Sequence, residues 1–467
     1  MGGAASMQSF HVKKVETVDE TYYGVIEHVP LDVSRNINVL FVCDEWGSSK
    51  GGLSTFNREF AVNFARFSSN NIKVHCYVCD SNESERQNAI ANGVNLIFAK
   101  HLPGASDPVE GLKIPPDELW YPDVVVGHGR KFGVPAQFIA SRAKCRWVQF
   151  VHVYYEALGK FKQDGSNSDA IAENEKKNNL ELELCKNADL TVAVGAGLQK
   201  KFRRRIRSIM VITPGIFENF AIHAKDVNED GTGQEFGVFM FGRGSFEDFL
   251  LKGYDVVAEA IALLGRKFKL TFVGAPKDEH RNIETWFCEK TNIARNQLTI
   301  RRYCGHEEMK EMFSEADVIV MPSRTEGFGL IALEAISAGV PVLISTECGI
   351  SKALKEVNGG IMSVVVNSEL PEAWAKKIRE LSEQSPGTRE TNAIRLRENY
   401  GKKYDWEREC KKFEQMILDL MKKPRKAQVI NFFLSECGEG RTTEQGSKLS
   451  APYITPIPTQ GRTSITQ

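Results

Sequence analysis

Two glutamates, Glu326 and Glu334, stand eight positions apart in Met321-Pro-Ser-Arg-Thr-Glu-Gly-Phe-Gly-Leu-Ile-Ala-Leu-Glu334. Ahead of them runs Val318-Ile-Val-Met321, an apolar stretch that reads as a buried parallel strand. Between them lie Gly327 and Gly329, followed by apolar residues at helical spacing, so the glutamates bracket a helix start. Glycines there leave backbone N–H groups bare where the helix macrodipole favours an anion. A carboxylate beside those donors cannot serve the same anion, but it accepts hydrogen bonds from hydroxyls. Anion donors and hydroxyl acceptors at one strand end describe a ligand that is part phosphate and part sugar. Taken alone, the segment also reads as an ordinary strand-to-helix turn with two solvated glutamates.

This segment resembles the paired-glutamate motif, E-x7-E, of the retaining glycosyltransferases of family 4, whose GT-B architecture has two Rossmann-like domains. The resemblance implies that Glu326 faces the donor sugar and Glu334 binds the ribose. It puts Gly327, Phe328, Gly329 and Leu330 on the donor as well. Phe241-Gly-Arg243-Gly-Ser and Lys252-Gly253 look like the family's arginine and lysine on the donor phosphates. Arginine forks two oxygens, lysine adds a point charge, and fixed cations stabilise the leaving diphosphate as its charge builds. Nine positions separate the two, more than the family pattern, and Glu247 and Asp248 in the added stretch would repel a phosphate they faced. The double glycine Gly51-Gly52 is similar to the family's loop over the donor, and it lacks both the dinucleotide fingerprint and the P-loop spacing.

His128 and His152 end apolar runs where the family has strand-end histidines. The resemblance implies that His152 reaches the donor sugar near the reacting carbon. A satisfied structural histidine is the commoner use of each, and His128 is a further candidate only. So is Glu308, in Gly305-His-Glu-Glu308, which falls where the family binds the nucleobase. Phe217 replaces the acid the family carries just beyond Gly215. What the resemblance implies as a whole is a metal-independent, retaining transfer from a UDP- or GDP-type nucleotide sugar to a hydroxyl acceptor. No cofactor is expected, the nucleotide sugar being a co-substrate, and no metal ligands. Two rivals keep the same fold: a catalytically inactive nucleotide-sugar sensor or scaffold, and a sugar-nucleotide epimerase.

These residues need strands and helices to bring them together. Short apolar runs alternate with amphipathic stretches, the rhythm of α/β units with parallel sheets. Expected strands in the first unit are Ile37–Cys43, Lys73–Cys79, Asn95–Ala99, Asp123–Val126, Arg146–Val151 and Leu190–Val194, with helices over Ser54–Arg66, Asp169–Asn187 and Gly197–Ile206. The second has Phe236–Phe241, Lys269–Val273, Leu298–Tyr303, Asp317–Met321 and Pro341–Ser345, a helix near Gly253–Leu264, and closing helices at about 370–384, 387–400 and 406–422. The expected organisation is an N-terminal extension (1–35), a Rossmann-like acceptor domain (36–224), a polar linker (225–234), a Rossmann-like nucleotide-sugar domain (235–400), a helix returning to the first domain (401–423) and a largely disordered tail (424–467). Within that tail Val429-Ile-Asn-Phe-Phe-Leu434 is the one apolar run able to dock. The two domains face each other across a cleft, with ligands beyond the carboxyl ends of their strands.

The 467 residues suffice for two or three cores, and 42% hydrophobic with 26% charged residues is ordinary for a globular chain. A formal net charge of zero argues against a dedicated nucleic-acid binder. The sequence shows neither a run of transmembrane length nor a secretory apolar core, and its scattered cysteines fit a reducing, cytoplasmic setting. Cys76 and Cys79 form a C-x-x-C without a second pair, which reads as core cysteine rather than a zinc site. Gly2 fits the N-myristoylation pattern, a weak anchor that needs a second membrane signal. Lys200-Lys-Phe-Arg-Arg-Arg-Ile-Arg207 packs six cations into eight residues. Its bland use is a solvated helix end; its sharper uses are an anionic acceptor or a peripheral contact with an acidic membrane.

Overall fold

Runs dense in Val, Ile, Leu and Phe form strands here because parallel sheets are covered on both faces, so nearly every side chain must be apolar. The computed structural model describes residues 35–423, apart from 48–50, 117–121, 156–166, 221–234 and 304. The first seven strands are β1 Ile37–Val42, β2 Ile72–Val78, β3 Val94–Phe98, β4 Val124–His128, β5 Arg146–Val151, β6 Leu190–Val194 and β7 Ile209–Ile212. They form one parallel sheet in the order β3-β2-β1-β4-β5-β6-β7. Six more, β8 Phe236–Phe241, β9 Phe268–Ala275, β10 Leu298–Arg302, β11 Val318–Met321, β12 Val342–Ser345 and β13 Val364–Val365, form a second in the order β10-β9-β8-β11-β12-β13. Every residue of β4, β5, β6, β11 and β12 is buried.

In each sheet the strand order reverses once, between β1 and β4 and between β8 and β11. Loops leaving such neighbours part to opposite faces and open a crevice at the strands' carboxyl ends. The Gly51-Gly52 loop follows β1, His128 ends β4, Gly242-Arg243 follows β8 and Pro322–Gly329 follows β11. Topology therefore delivers four of the candidate segments to the two crevices.

The last helix, Trp406–Met421, starts on an Asp405 cap whose carboxylate accepts from the Glu407 N–H, with Glu407 and Glu409 in its first turn. Its buried stripe includes Cys410, Phe413, Ile417 and Leu420. Phe413 packs against Phe60, Phe64 and Phe150 at centroid distances of 5.2, 5.1 and 5.7 Å, which docks the chain's return on the first sheet. Tyr400 Oη and Trp406 Nε1 donate to the Pro214 and Ile216 carbonyls at 2.9 and 3.1 Å, pinning the crossing point. Phe217, where the family acid is missing, is fully buried and stacks on Trp406 at 6.3 Å.

Several expectations need correction. The helix expected over 197–206 is Ala196–Phe202: continued, it would set Lys200 and Lys201 one turn from Arg204 and Arg205, like charges four apart, and residues 203–205 form turns instead. The edge strands β7 and β13 were not expected: they are four and two residues long, too short for a period to show. Cys76 is a core thiol that burial pushes well up, and Cys79 is half-buried beyond the strand end. The linker 225–234, the tail with Val429–Leu434, and Gly2 lie outside the described residues. No described helix is long and apolar enough to cross a membrane.

Candidate active site between the two sheets

Lys252 and Glu326 meet at the carboxyl ends of β8 and β11. Lys252 Nζ donates to Glu326 Oε2 at 2.6 Å, with the side chains 31% and 19% exposed. Burial alone would lower the lysine's pKa, but the Glu326 carboxylate more than reverses this, so the ammonium holds its proton more tightly than usual. The long spacing from Arg243 is taken up by a one-turn helix, Phe246–Phe249, whose buried Phe249 plugs against Trp286 at 4.7 Å and Tyr254 at 5.3 Å. That plug brings the chain back so that Lys252 reaches the site. Glu247 is exposed and Asp248 half-buried, and the Asp248 carbonyl accepts the Lys252 N–H at 2.7 Å.

The loop bearing Glu326 is clamped from below. Arg324 forks the Asp255 carboxylate with two hydrogen bonds of 2.8 Å and reaches Glu369 at 3.0 Å, while its own N–H donates to the Leu251 carbonyl at 3.0 Å. Sequence reasoning passed over Arg324; a charged residue between a buried strand and the first glutamate, with acids downstream of Lys252, was the available signal.

Glu334 lies within the helix Leu330–Ser337 rather than at its edge. It is 4% exposed, its Oε2 has no hydrogen-bond partner among the described residues, and burial with the Glu59 charge nearby pushes its pKa up to about 8. Glu59, on the helix Gly52–Phe67 of the first sheet, is itself raised by burial and accepts from Asn219 Nδ2 at 3.4 Å. This facing carboxyl pair was also missed; only the fold makes Glu59 and Glu334 neighbours.

On the first sheet, His128 Nδ1 and His152 Nε2 share a hydrogen bond at 3.0 Å. Burial lowers both, His152 to about 3 and His128 well below its usual value with His152 adding to it, so both rings are neutral. Phe56 meets His152 edge-on at 5.0 Å and Phe150 lies 5.1 Å from His128. His128 has no exposed surface, so it can act on a ligand only through His152. His152 keeps Nδ1 for such a contact, as donor or acceptor according to the proton in the shared bond.

The two walls touch through the other candidates. A Cβ on Gly51, whose φ is +109°, would lie 2.9 Å from Arg243 Nη2. The His152 carbonyl oxygen fills the space a Gly327 side chain would need. Phe328, 4% exposed, turns its ring onto Gly195, and Leu330 packs on Gly52. These two side chains thus close the gap between domains, leaving their backbone as what they can offer a ligand. The Gly327 N–H is not bare, since it donates to Glu326 Oε1 at 3.2 Å. Gly329 caps the helix at φ +104° as the turn requires. Glu308 stays apart: it is exposed, paired with Arg302 at 2.8 Å, beyond the edge strand β10.

Two parallel sheets whose crevices face one another, with cations and carboxylates on one side and histidines on the other, define a GT-B protein. The chain belongs to the family described as Family 4 Glycosyltransferase in conflict systems, whose model matches residues 40–413, and it is a glycosyltransferase. It is 24% identical over 320 residues to a D-inositol 3-phosphate glycosyltransferase of Corynebacterium urealyticum, covering 65% of this chain and 72% of that enzyme. Sucrose-phosphate synthase from Thermosynechococcus elongatus shares the fold with a TM-score of 0.63 at 18% identity, over 82% of this chain and 99% of that one. Anabaena HepE, solved in complex with UDP-glucose, aligns with a TM-score of 0.60 at 15% identity, over 82% and 100%.

Proposed function

We propose that this chain transfers a sugar from a nucleoside diphosphate to a hydroxyl acceptor with retention of configuration. The observation that carries this reading is the Lys252–Glu326 pair, set beside the Gly327–His152 contact between the domains. Paired at 2.6 Å, the two groups neutralise each other. A donor separates them: the ammonium and Arg243 take the diphosphate, and the carboxylate takes the sugar hydroxyls. Glu334 Oε2, buried without a partner, accepts from a ribose hydroxyl. The bond from the sugar carbon to the phosphate oxygen breaks as that carbon bonds the acceptor oxygen on the same face, and the acceptor's proton passes to the departing phosphate. Neutral His152 and its carbonyl face the positive charge building on the ring.

The cations that steady the leaving group are Arg243 and Lys252, so the reading calls for neither a resident cofactor nor a metal. HepE was solved with UDP-glucose, which makes UDP sugars the first donors to try. Most of the described cysteines are buried, which supports a cytoplasmic setting. The test is a thermal-shift panel of nucleoside diphosphates and their sugars, followed by donor hydrolysis and acceptor screens. Stabilisation by one nucleotide sugar with turnover is the expected result. Stabilisation with neither transfer nor hydrolysis would make the protein a sensor, and no stabilisation by any of them removes the reading.

A further inference from the structure

Six cations crowd residues 200–207, and the fold adds more from the facing domain. The helix Ala196–Phe202 leaves the end of β6, and the helix Ile350–Lys355 follows β12. They meet where Gly197 lies against Gly349 and Lys352: a Cβ on Gly197 would stand 3.4 Å from Lys352 Nζ and 3.5 Å from the Gly349 Cα. Gly349 in turn packs on the Gly327 carbonyl, beside the His152 contact. The Lys201 ammonium stands 5.5 Å over the ring of Tyr154, two residues beyond His152.

Burial lowers the pKa of half-buried Lys201, and Glu347 only partly offsets it. Lys352, at the rim, is lowered by desolvation and then by Lys201, Lys200 and Lys355. Among the described residues, none of these four lysines forms an ion pair. Glu347, the acid nearby, is exposed and accepts from its neighbour Thr346 Oγ1 at 3.3 Å. Crowding ammonium groups where two domains close does not stabilise the closed form by itself. An anion held between them would relieve the repulsion from both sides at once.

Resting on the transferase reading above, we propose that Lys200 and Lys201 of the first domain, with Lys352 and Lys355 of the second, seat a phosphate group of the acceptor beside His152 and Gly327. The acceptor is then a phosphate-bearing molecule, soluble or a lipid headgroup, and its anion draws the domains together.

The test is calorimetric titration of inorganic phosphate into the full chain, against sodium chloride at matched ionic strength. It compares wild type, Lys201→Gln/Lys352→Gln and Arg243→Gln. The expected result is phosphate affinity about ten-fold or more weaker in the double lysine variant, because two charge-assisted hydrogen bonds to the anion are removed. Its melting temperature without ligand should be unchanged or higher, because crowded charge has been removed; a structural role would lower it. Vesicles of phosphatidylglycerol, with phosphatidylcholine as control, separate the sources: binding that the double variant loses means a lipid headgroup, and phosphate binding alone means a soluble acceptor. Equal phosphate affinity in wild type and the double variant, with loss only in Arg243→Gln, overturns the proposal and leaves the donor site standing. Nucleoside diphosphate binding that ignores Arg243→Gln counts against the donor reading instead.

Discussion

The two walls of the cleft are built on opposite principles. Beside the reacting centre the first sheet offers a neutral surface: two histidines bonded to each other and packed among Phe41, Phe56 and Phe150. The second offers the charges of Arg243 and the Lys252–Glu326 pair, and the buried carboxyl of Glu334. A neutral wall has no ionic partner to exchange, so it can act only by shape and fixed dipoles. On the charged wall Lys252 and Glu326 satisfy one another until a ligand parts them, whereas Glu334 Oε2 has no partner among the described residues. Around the donor, positioning is therefore assigned to one sheet and electrostatic work to the other, and the point where they touch should be the most sensitive in the molecule.

That point is Gly327. In Gly327→Val the side chain must displace the His152 carbonyl, pushing the walls apart. We expect turnover to fall by about a hundredfold or more, since an ångström of misplacement at a reacting centre costs that much. Nucleotide binding to the second sheet alone should survive, and small-angle scattering should report a larger radius. Full activity would mean that the walls need not meet. Glu326→Gln tests the charged wall directly. We expect turnover to fall by about 10²–10³ while diphosphate affinity holds or rises, because Lys252 is released from its pair. Equal losses in binding and turnover would show that Glu326 serves the ground state only.

Much of this contrast was legible in the sequence. Buried parallel strands betray themselves as apolar runs, so the strands that carry the site, β1, β4, β5, β8 and β11, emerged at nearly their true limits. Glutamates eight apart around two glycines at a strand end resemble the family motif, and that resemblance singled out Glu326 and Gly327. What stayed hidden depends on chain crossings that no local pattern encodes. Glu59 becomes a neighbour of Glu334 only when two helices from different sheets pack, and Lys352 joins Lys201 in the same way. The one-turn helix around Phe249 was unreadable because four residues are too few to show a period.

Glu334 and the histidines also titrate in opposite directions. The folded-state pKa of Glu334, about 8, lies above the ordinary value of 4.5, so the folded chain keeps a proton that the unfolded chain releases. Its contribution is full below about pH 4.5 and is lost as pH rises through 8. The histidines are depressed below 6.5, so their contribution is present above that value and declines as pH falls below it. In Glu334→Gln the fall in stability between pH 5 and pH 8 should shrink relative to wild type by about 1–4 kcal/mol, read by chemical denaturation. At pH 7 the same variant should bind nucleoside diphosphates roughly five- to ten-fold more weakly, for one lost hydrogen bond to ribose. An unchanged pH slope would place the Glu334 carboxyl in water, against its burial.

The smallest effect is expected at the margin of the charged wall. Glu308 and Arg302 have side chains 46% and 70% exposed, and their contact at 2.8 Å lies beyond the edge strand. Exposed pairs of this kind contribute about 0–1 kcal/mol, because water screens them and two long side chains must be held still. Glu308→Gln should therefore shift the melting temperature by under about 1 °C and leave the affinity for both UDP and GDP within roughly two-fold. The informative departure is an asymmetric one. If the substitution weakens one nucleoside diphosphate about ten-fold and spares the other, Glu308 leaves Arg302 to read the base. The charged wall would then extend to the sheet's edge, and the division of labour between the walls would include selection of the donor.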